Sequence, residues 1–324
     1  MSNEAAITPG FTAAVNDGTL GLLMAAIVLF TAVVWTARGA NVEKTDFALT
    51  YVGAKIVHDG LGSRLYDLTL QKQMRDSLFQ SPSPLVFQHP PFEALLLSPL
   101  ASYPFRTAYL IWGSLNAAIW MIIMVALRSR LPWPSENLAY LALWFLFAPL
   151  GVALYQGQSS VLLLALFAVC FTQLERGREF AAGMALGLGL IKFQFALPLA
   201  LIFLFRRRWS FLCGFAATSA VLGWLSIFAV GWRGLASYVR LLFAISSHPQ
   251  DVSYGSGVDM PTIHGFVYAV LGRWLSTAGL AFVAAVLSVL LLTWMAWRWQ
   301  SVKPGPSHAL MFAAAIAASL LAGS

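Results

Sequence analysis

The chain has 324 residues, of which 59% are hydrophobic and 10% charged, with a mean hydropathy of +0.74. Soluble domains carry about 25% charged residues, so the composition excludes a water-soluble core and predicts an all-α polytopic membrane protein. The formal charge of +7 does not point to nucleic acid, because the basic residues sit in short connections between apolar stretches, where they set topology.

In chain order, the first apolar stretch is 19–37, close to the roughly 20 residues a spanning helix needs. Residues 1–18 lack a basic n-region, so this stretch reads as a retained span rather than a cleaved signal. A polar island, 38–104, follows. It holds six of the thirteen acids: Glu43, Asp46, Asp59, Asp67, Asp76 and Glu93. Within it Phe47, Tyr51, Ala54 and Val57 or His58 recur at helical spacing, and Gly60 and Gly62 end that helix. A second amphipathic helix is predicted over 65–79. Pro82, Pro84, Pro90 and Pro91 break the chain before an apolar half-helix over 92–102. These pieces are expected to lie on the membrane surface.

Further spans are predicted at 106–127, 136–154, 159–174, 209–231, 274–297 and 307–323, with a Tyr155-Gln156-Gly157-Gln158 turn before the third of these and a loop over 232–262. Cys170 and Cys213 each fall inside an apolar stretch without C-x-x-C spacing, which gives disulfide and zinc readings little support. The stretch 180–205 is interrupted by Ile191-Lys192-Phe193-Gln194 and closed by three arginines, Arg206, Arg207 and Arg208. All the short basic connections (Arg128 and Arg130, Arg176 and Arg178, 206–208, Arg298 and Lys303) fall on one side only if 180–205 enters the membrane and returns. Each half is about 12 residues, too short to span, so the segment is expected to be a broken or re-entrant hairpin. Lys192 then lines a cavity at its turn, because non-helical backbone at depth needs protein or water around it. With those connections cytoplasmic, the N-terminus is cytoplasmic, and the island, the 155–158 turn and the 232–262 loop share one extracytoplasmic surface.

Several segments resemble glycosyltransferase family 87. Thr45-Asp46-Phe47 with Tyr51, Ala54, Gly60 and Leu65-Tyr66-Asp67 is similar to that family's first-loop pattern. Phe87-Gln88-His89-Pro90-Pro91-Phe92, with Pro99-Leu100 and Pro104, resembles its aromatic-Pro-Pro segment. Tyr155-Gln156-Gly157-Gln158 is similar to its Gly-Gln turn, and Gly183, Gly187, Lys192 and the 206–209 cluster to a later Gly/Lys/Arg block. The likeness runs from about 45 to 272. His89 departs from it, since an aromatic, usually Tyr, is expected before the Pro-Pro pair. Family members also usually continue beyond the equivalent of Ser324 with further hydrophobic spans, so a short member or a C-terminally truncated chain is expected here. The resemblance implies a GT-C-like bundle of about 7–9 transmembrane helices forming a single domain over 1–324. It implies a multi-pass enzyme of the cytoplasmic (inner) membrane whose active site faces the extracytoplasmic side. Such an enzyme moves a hexose, mannose above all, from a polyprenyl-phosphate-sugar donor to a lipid or glycan acceptor with inversion.

On that expectation Asp46 is the general base, a carboxylate that removes the acceptor hydroxyl proton as the sugar develops oxocarbenium character. Its competing reading is a helix N-cap. Lys192 would meet the leaving phosphate, or else snorkel to the headgroups. His89 could donate to a phosphate or a sugar hydroxyl, Gln156 and Gln158 could bond sugar hydroxyls from their turn, and His264 could face the donor. The bland alternatives are a surface histidine and turn chemistry around Gly157. Asp67 and Glu93 read as structural, a turn residue and an acid suited to the start of a helix. No P-loop, dinucleotide fingerprint or Asp-x-Asp pair is present, and no metal or other cofactor is expected. A transporter or flippase, or an inactive truncated homologue, is the alternative reading. A transporter predicts a second broken segment in the other half, whereas the sequence shows a single such segment, 180–205.

Overall fold

The computed structural model describes residue 32 and residues 42–80, 86–127, 147–247, 262–300 and 306–323. The expected span at 19–37 lies outside the described residues apart from Ala32, as do most of the 136–154 span and the basic pair Arg128 and Arg130.

The polar island is helical. Helix α1, Asp46–His58, follows a 3₁₀ turn at Val42–Lys44. A second turn, Gly62–Arg64, leads to α2, Leu68–Leu78. After the prolines comes α3, Pro91–Leu97, extended by a 3₁₀ turn at Ser98–Ser102. The expected first helix is thus observed, the expected second begins at Leu68 because residues 65–67 form a turn ending in its cap, and the expected third passes into a 3₁₀ turn after Leu97. Asp67 ends the turn before α2 and caps that helix, accepting from the amides of Thr69 and Leu70 at 3.0 and 3.2 Å. Such caps satisfy orphan N–H groups of the first turn.

Helix α1 is not a surface helix with one buried stripe. Phe47, Ala48, Thr50, Tyr51, Val52, Gly53, Ala54 and Ile56 are all buried. Its neighbours α3, the 98–102 turn and the start of α4, Phe105–Leu127, enclose it. Aromatic rings fill this core: Phe47 lies near Tyr51, Phe105, Tyr109 and Trp112 with ring centroids 5.8–6.3 Å apart.

The rest of the chain is a helical bundle. Helices α5, Ala148–Tyr155, and α6, Ser160–Glu175, lead to α7, Glu179–Leu188. A 3₁₀ turn at Gly189–Lys192 joins α7 to α8, Phe193–Phe205, and α9, Trp209–Ser247, follows. By length and composition alone 179–205 could be one span. Its ends, however, come together, with Arg208 Nη2 2.7 Å from Glu179 Oε1, whereas a straight helix of that length would separate them by about 40 Å. The chain therefore runs up α7, back down α8 and up again in α9, with Phe203 stacked on Phe211 at 3.9 Å. The halves are about 15 and 20 Å long at 1.5 Å per residue. Lys192 sits at the tip of this helical hairpin and the Glu179–Arg208 pair at its base.

Helices α7 and α9 run parallel in very close contact. A β-carbon on Gly183 would run into the carbonyl oxygen of Phe211, and one on Gly214 into that of Phe180. Small residues permit such backbone approach between membrane helices.

Helix α9 changes direction at Gly231, whose φ of 67° and ψ of 176° are not helical. Beyond it the chain is helical to Ser247, which corrects the expectation of a loop over 232–262; residues 248–261 lie outside the described part. The physical reason is packing. Val230, Tyr238 and Leu241 join the core around α1, with Leu235 and Leu242 against it, a helical spacing that Arg233 and Arg240 disguise. Helix α10, Ile263–Leu271, then packs on α11, Thr277–Gln300, which with α12, Pro306–Ala322, closes the bundle around α8. Among the described residues, the helices long and apolar enough to cross a membrane are α4, the 179–205 pair taken together, α9 and α11.

Candidate active site

The 155–158 turn fixes the start of α1. The backbone carbonyl of Gln156 accepts from the Phe47 amide at 2.9 Å, and its side-chain Oε1 accepts from the Asp46 amide at 3.2 Å. Gln156 thereby does the capping work that Thr45, the N-cap residue, leaves undone, since the Thr45 hydroxyl donates to the Val42 carbonyl instead. The turn needs Gly157, whose φ is 62° and whose hypothetical β-carbon would crowd Phe47. Trp112 Nε1 donates to the Gly157 carbonyl at 2.8 Å and pins the turn from the other side.

This arrangement leaves the Asp46 carboxylate available at the first position of α1. A directional chain of hydrogen bonds ends on it. Lys192 Nζ donates to Ser160 Oγ at 2.8 Å, Ser160 Oγ to Gln158 Oε1 at 3.0 Å, and Gln158 Nε2 to Asp46 Oδ2 at 2.5 Å. Bonds in such a series polarise one another. All four side chains are half-buried, so the chain borders a recess that solvent reaches. The ammonium of Lys192 is within electrostatic range of the carboxylates of Asp46 and Glu93.

On the same recess, His89 Nδ1 lies 2.7 Å from Glu93 Oε2. The Glu93 side chain is 2% exposed and that of His89 is 29% exposed. Burial pushes the imidazole pKa down, but the Glu93 carboxylate outweighs this and His89 is raised above its ordinary value; Lys192 opposes and Asp46 assists. The Tyr66 hydroxyl donates to the His89 carbonyl at 2.7 Å, and the Phe87 ring stacks on the imidazole at 5.6 Å.

The structure thus brings Asp46, Gln158, Lys192 and His89 together, and gives Gln156 a positioning contact. It does not bring His264 to them. That ring stacks on Tyr268 within α10, 6.3 Å between centroids. The remaining acids of the island have other partners. Asp59 pairs with Lys55 at 2.7 Å, Asp67 with Arg64 at 2.6 Å, Asp76 with Arg75 at 3.5 Å, and Glu43 accepts from the Gln80 amide at 3.3 Å. Sequence reasoning missed two members of the site. Ser160 looked like the start of an apolar helix, and Glu93 like a dipole residue; its signal was the i, i+4 spacing to His89 across the Pro-Pro pair. Among the described residues no three His, Cys, Asp or Glu side chains form a group that could hold a metal ion.

A carboxylate linked by hydrogen bonds to a lysine at the tip of a helical hairpin can take a proton beside a fixed positive charge. The family model for glycosyltransferase family 87 matches residues 87–323. The chain belongs to glycosyltransferase family 87. This family match covers His89, Glu93, the 155–158 turn, Ser160 and Lys192, and it extends well past the 272 at which the motif likeness ends; Asp46 lies before it. The chain is also similar to a polyprenol-phosphate-mannose-dependent α-(1-2)-phosphatidylinositol pentamannoside mannosyltransferase of Mycolicibacterium smegmatis. The two are 29% identical over 228 residues, which is 69% of this chain and 53% of that protein. The chain therefore spans about half the length of this relative. No solved structure matches it.

Proposed function

We propose that this family 87 member transfers a hexosyl group, mannose, from a polyprenyl-phosphate carrier to a hydroxyl of a lipid or glycan acceptor, with inversion, at the extracytoplasmic face of the cytoplasmic membrane. The observation that carries this reading is the chain of contacts from Lys192 through Ser160 and Gln158 to Asp46. It holds a base and a cation a fixed distance apart on one recess. The family match and the mannosyltransferase relative support the sugar and the carrier.

In this reaction Asp46 takes the proton of the acceptor hydroxyl as that oxygen attacks the anomeric carbon. The bond from that carbon to the phosphate oxygen breaks, and the electron pair leaves with the polyprenyl phosphate. Gln158 orients the carboxylate, and the donated N–H keeps one of its oxygens occupied while the other faces the acceptor. Lys192 and His89 meet the phosphate, whose charge grows in the transition state and is best stabilised by donors already in place. Gln156 acts on the site by capping α1, with its amide nitrogen left for a sugar hydroxyl. The 179–208 hairpin enters the membrane from the cytoplasmic side and presents Lys192 near the opposite face, so that the first polar loop closes over it. The sugar is already activated by its phosphate, and the reading calls on no further cofactor.

The test is incubation of the purified protein with radiolabelled polyprenyl-phosphate-mannose and a membrane lipid extract. A labelled product is expected, and it fixes the acceptor at once. Product formation that survives Asp46→Asn removes Asp46 from its role; transport of the carrier without product removes the transferase reading.

A further inference from the structure

The His89–Glu93 pair is built more firmly than a surface contact requires. Its carboxylate is sunk in protein, and a buried carboxylate is stable only when paired. The histidine backbone is tied down by Tyr66, the ring plane by Phe87, and the Glu93 amide by the Pro90 carbonyl at 3.0 Å. With Nδ1 committed to Glu93, the ring nitrogen left over is Nε2, on a side chain still partly exposed to the recess. The charged groups facing the imidazole are Glu93 on α3, Lys192 at the tip of the hairpin and Asp46 on α1; the tyrosines beside Glu93 are Tyr66 and Tyr238.

We propose that Glu93 is a positioning residue that keeps His89 a cation with its Nε2–H free for the donor phosphate, so that transfer has an alkaline limit belonging to the His89–Glu93 pair. This rests on the transferase reading for the phosphate, but the protonation of His89 does not. Lys192 is already tied to Asp46 through Ser160 and Gln158, so the pocket without a charged His89 offers the phosphate a cation balanced by a carboxylate. Glu93 also lies within electrostatic range of Lys192, so the imidazolium supplies a second N–H donor where the lysine charge is already offset. The effect reaches the phosphate through His89 alone, which is why Glu93 is a positioning and not a catalytic residue.

The experiment uses the full chain in detergent or nanodiscs, as wild type, Glu93→Gln, His89→Gln and the double variant. The ring nitrogens are followed by ¹⁵N NMR across pH, and the His89 signals are those lost in His89→Gln. The expected result is an imidazole that deprotonates about one pH unit lower in Glu93→Gln than in wild type. With polyprenyl-phosphate-mannose as substrate, the alkaline limb of kcat/KM moves down by the same interval. The loss is then about tenfold at pH 8 and less than about twofold below pH 6, where either imidazole is charged. On the His89→Gln background, Glu93→Gln changes nothing further. A uniform loss at every pH, or an unmoved titration, makes Glu93 a structural brace and overturns the proposal. If Glu93→Gln does not fold, Glu93→Asp takes its place: retention of the wild-type limb supports the proposal, and a folded Glu93→Asp that loses activity uniformly at every pH with the His89 titration unmoved overturns it. A wild type that transfers no mannose but shows the titration shift fails the functional reading and leaves the pairing standing.

Discussion

The core around α1 and the core of the bundle solve opposite problems. The first is assembled from short helices and 3₁₀ turns, whose backbone groups cannot all be satisfied internally. Side chains do that work. Gln71 donates to the carbonyls of Leu65 and Phe87 and accepts from the Phe87 amide at 2.7–3.1 Å. Tyr51, Tyr109 and Trp112 donate to the carbonyls of Tyr103, Tyr155 and Gly157. The second core consists of longer helices that satisfy their own backbones. Leu, Phe and Ala dominate it, and its closest contact depends on what is absent, the side chains of Gly183 and Gly214. The candidate site lies where the two meet: Asp46, His89 and Glu93 come from the polar-braced region, and Ser160 and Lys192 from the bundle. An irregular, hydrogen-bonded scaffold can aim individual side chains, while a regular one fixes distances.

This contrast can be broken from either side. The largest effect is expected for Asp46→Asn, which removes the base while keeping the Gln158 contact. Transfer from polyprenyl-phosphate-mannose should fall by about 10²–10⁴-fold with expression unchanged, and a smaller loss would mean that another group takes the proton. Gly183→Leu attacks the bundle instead. Forcing a side chain into the α7–α9 contact costs about 1–3 kcal/mol or more, read as a lowered thermal midpoint in detergent; an unchanged midpoint would show that the helices separate freely. Gln158→Ala tests the seam between the regions. Removing the amide that aims the carboxylate should lower kcat about tenfold, and losing a hydrogen bond to a charged group, about 1.5–3 kcal/mol, should lower the midpoint as well. The weakest is Glu179→Gln at the hairpin base. Its partner Arg208 is 45% exposed, and such pairs contribute about 0.2–1 kcal/mol, so hardly any change in midpoint is expected and a collapse would mean that the base holds the hairpin together.

A stability signature belongs to the polar region alone. The folded-state pKa of His89 is raised above its ordinary value. The stabilisation it brings is complete below the unfolded value near 6.5 and is lost as pH rises through the folded one. Relative to His89→Gln, the wild-type thermal midpoint should therefore fall across that window, and parallel curves would remove the pairing.

Much of this was legible in the sequence, and unevenly. The apolar runs and the arginine positions sufficed for α4, α6, α11 and the turn back at Lys192, because length and charge alone constrain them. Lys192 stood out as an ion inside an apolar stretch, and Asp46 through the Thr45-Asp46-Phe47 motif that carries the family resemblance. What pattern could not supply was pairing across distance: Gln158 lies 112 residues from the carboxylate it holds, and nothing local marks Ser160 as the link to Lys192. The helix after Gly231 was hidden by two arginines. The enclosure of α1 was hidden by its neighbours, since a stripe seen in one segment says nothing about what covers the other faces.

The 112-residue interval between Asp46 and Gln158 also has a meaning in time. Chains grow at about 5–20 residues per second, so the carboxylate is made roughly 6–20 seconds before the amide that will hold it, and Lys192 is later still. Until then α1 lacks the turn that caps it, and Phe47 lacks the backbone it packs against. The site therefore becomes whole only after Lys192 has been made, long after its carboxylate. A newly made molecule carries its acid well before it carries the means to aim it.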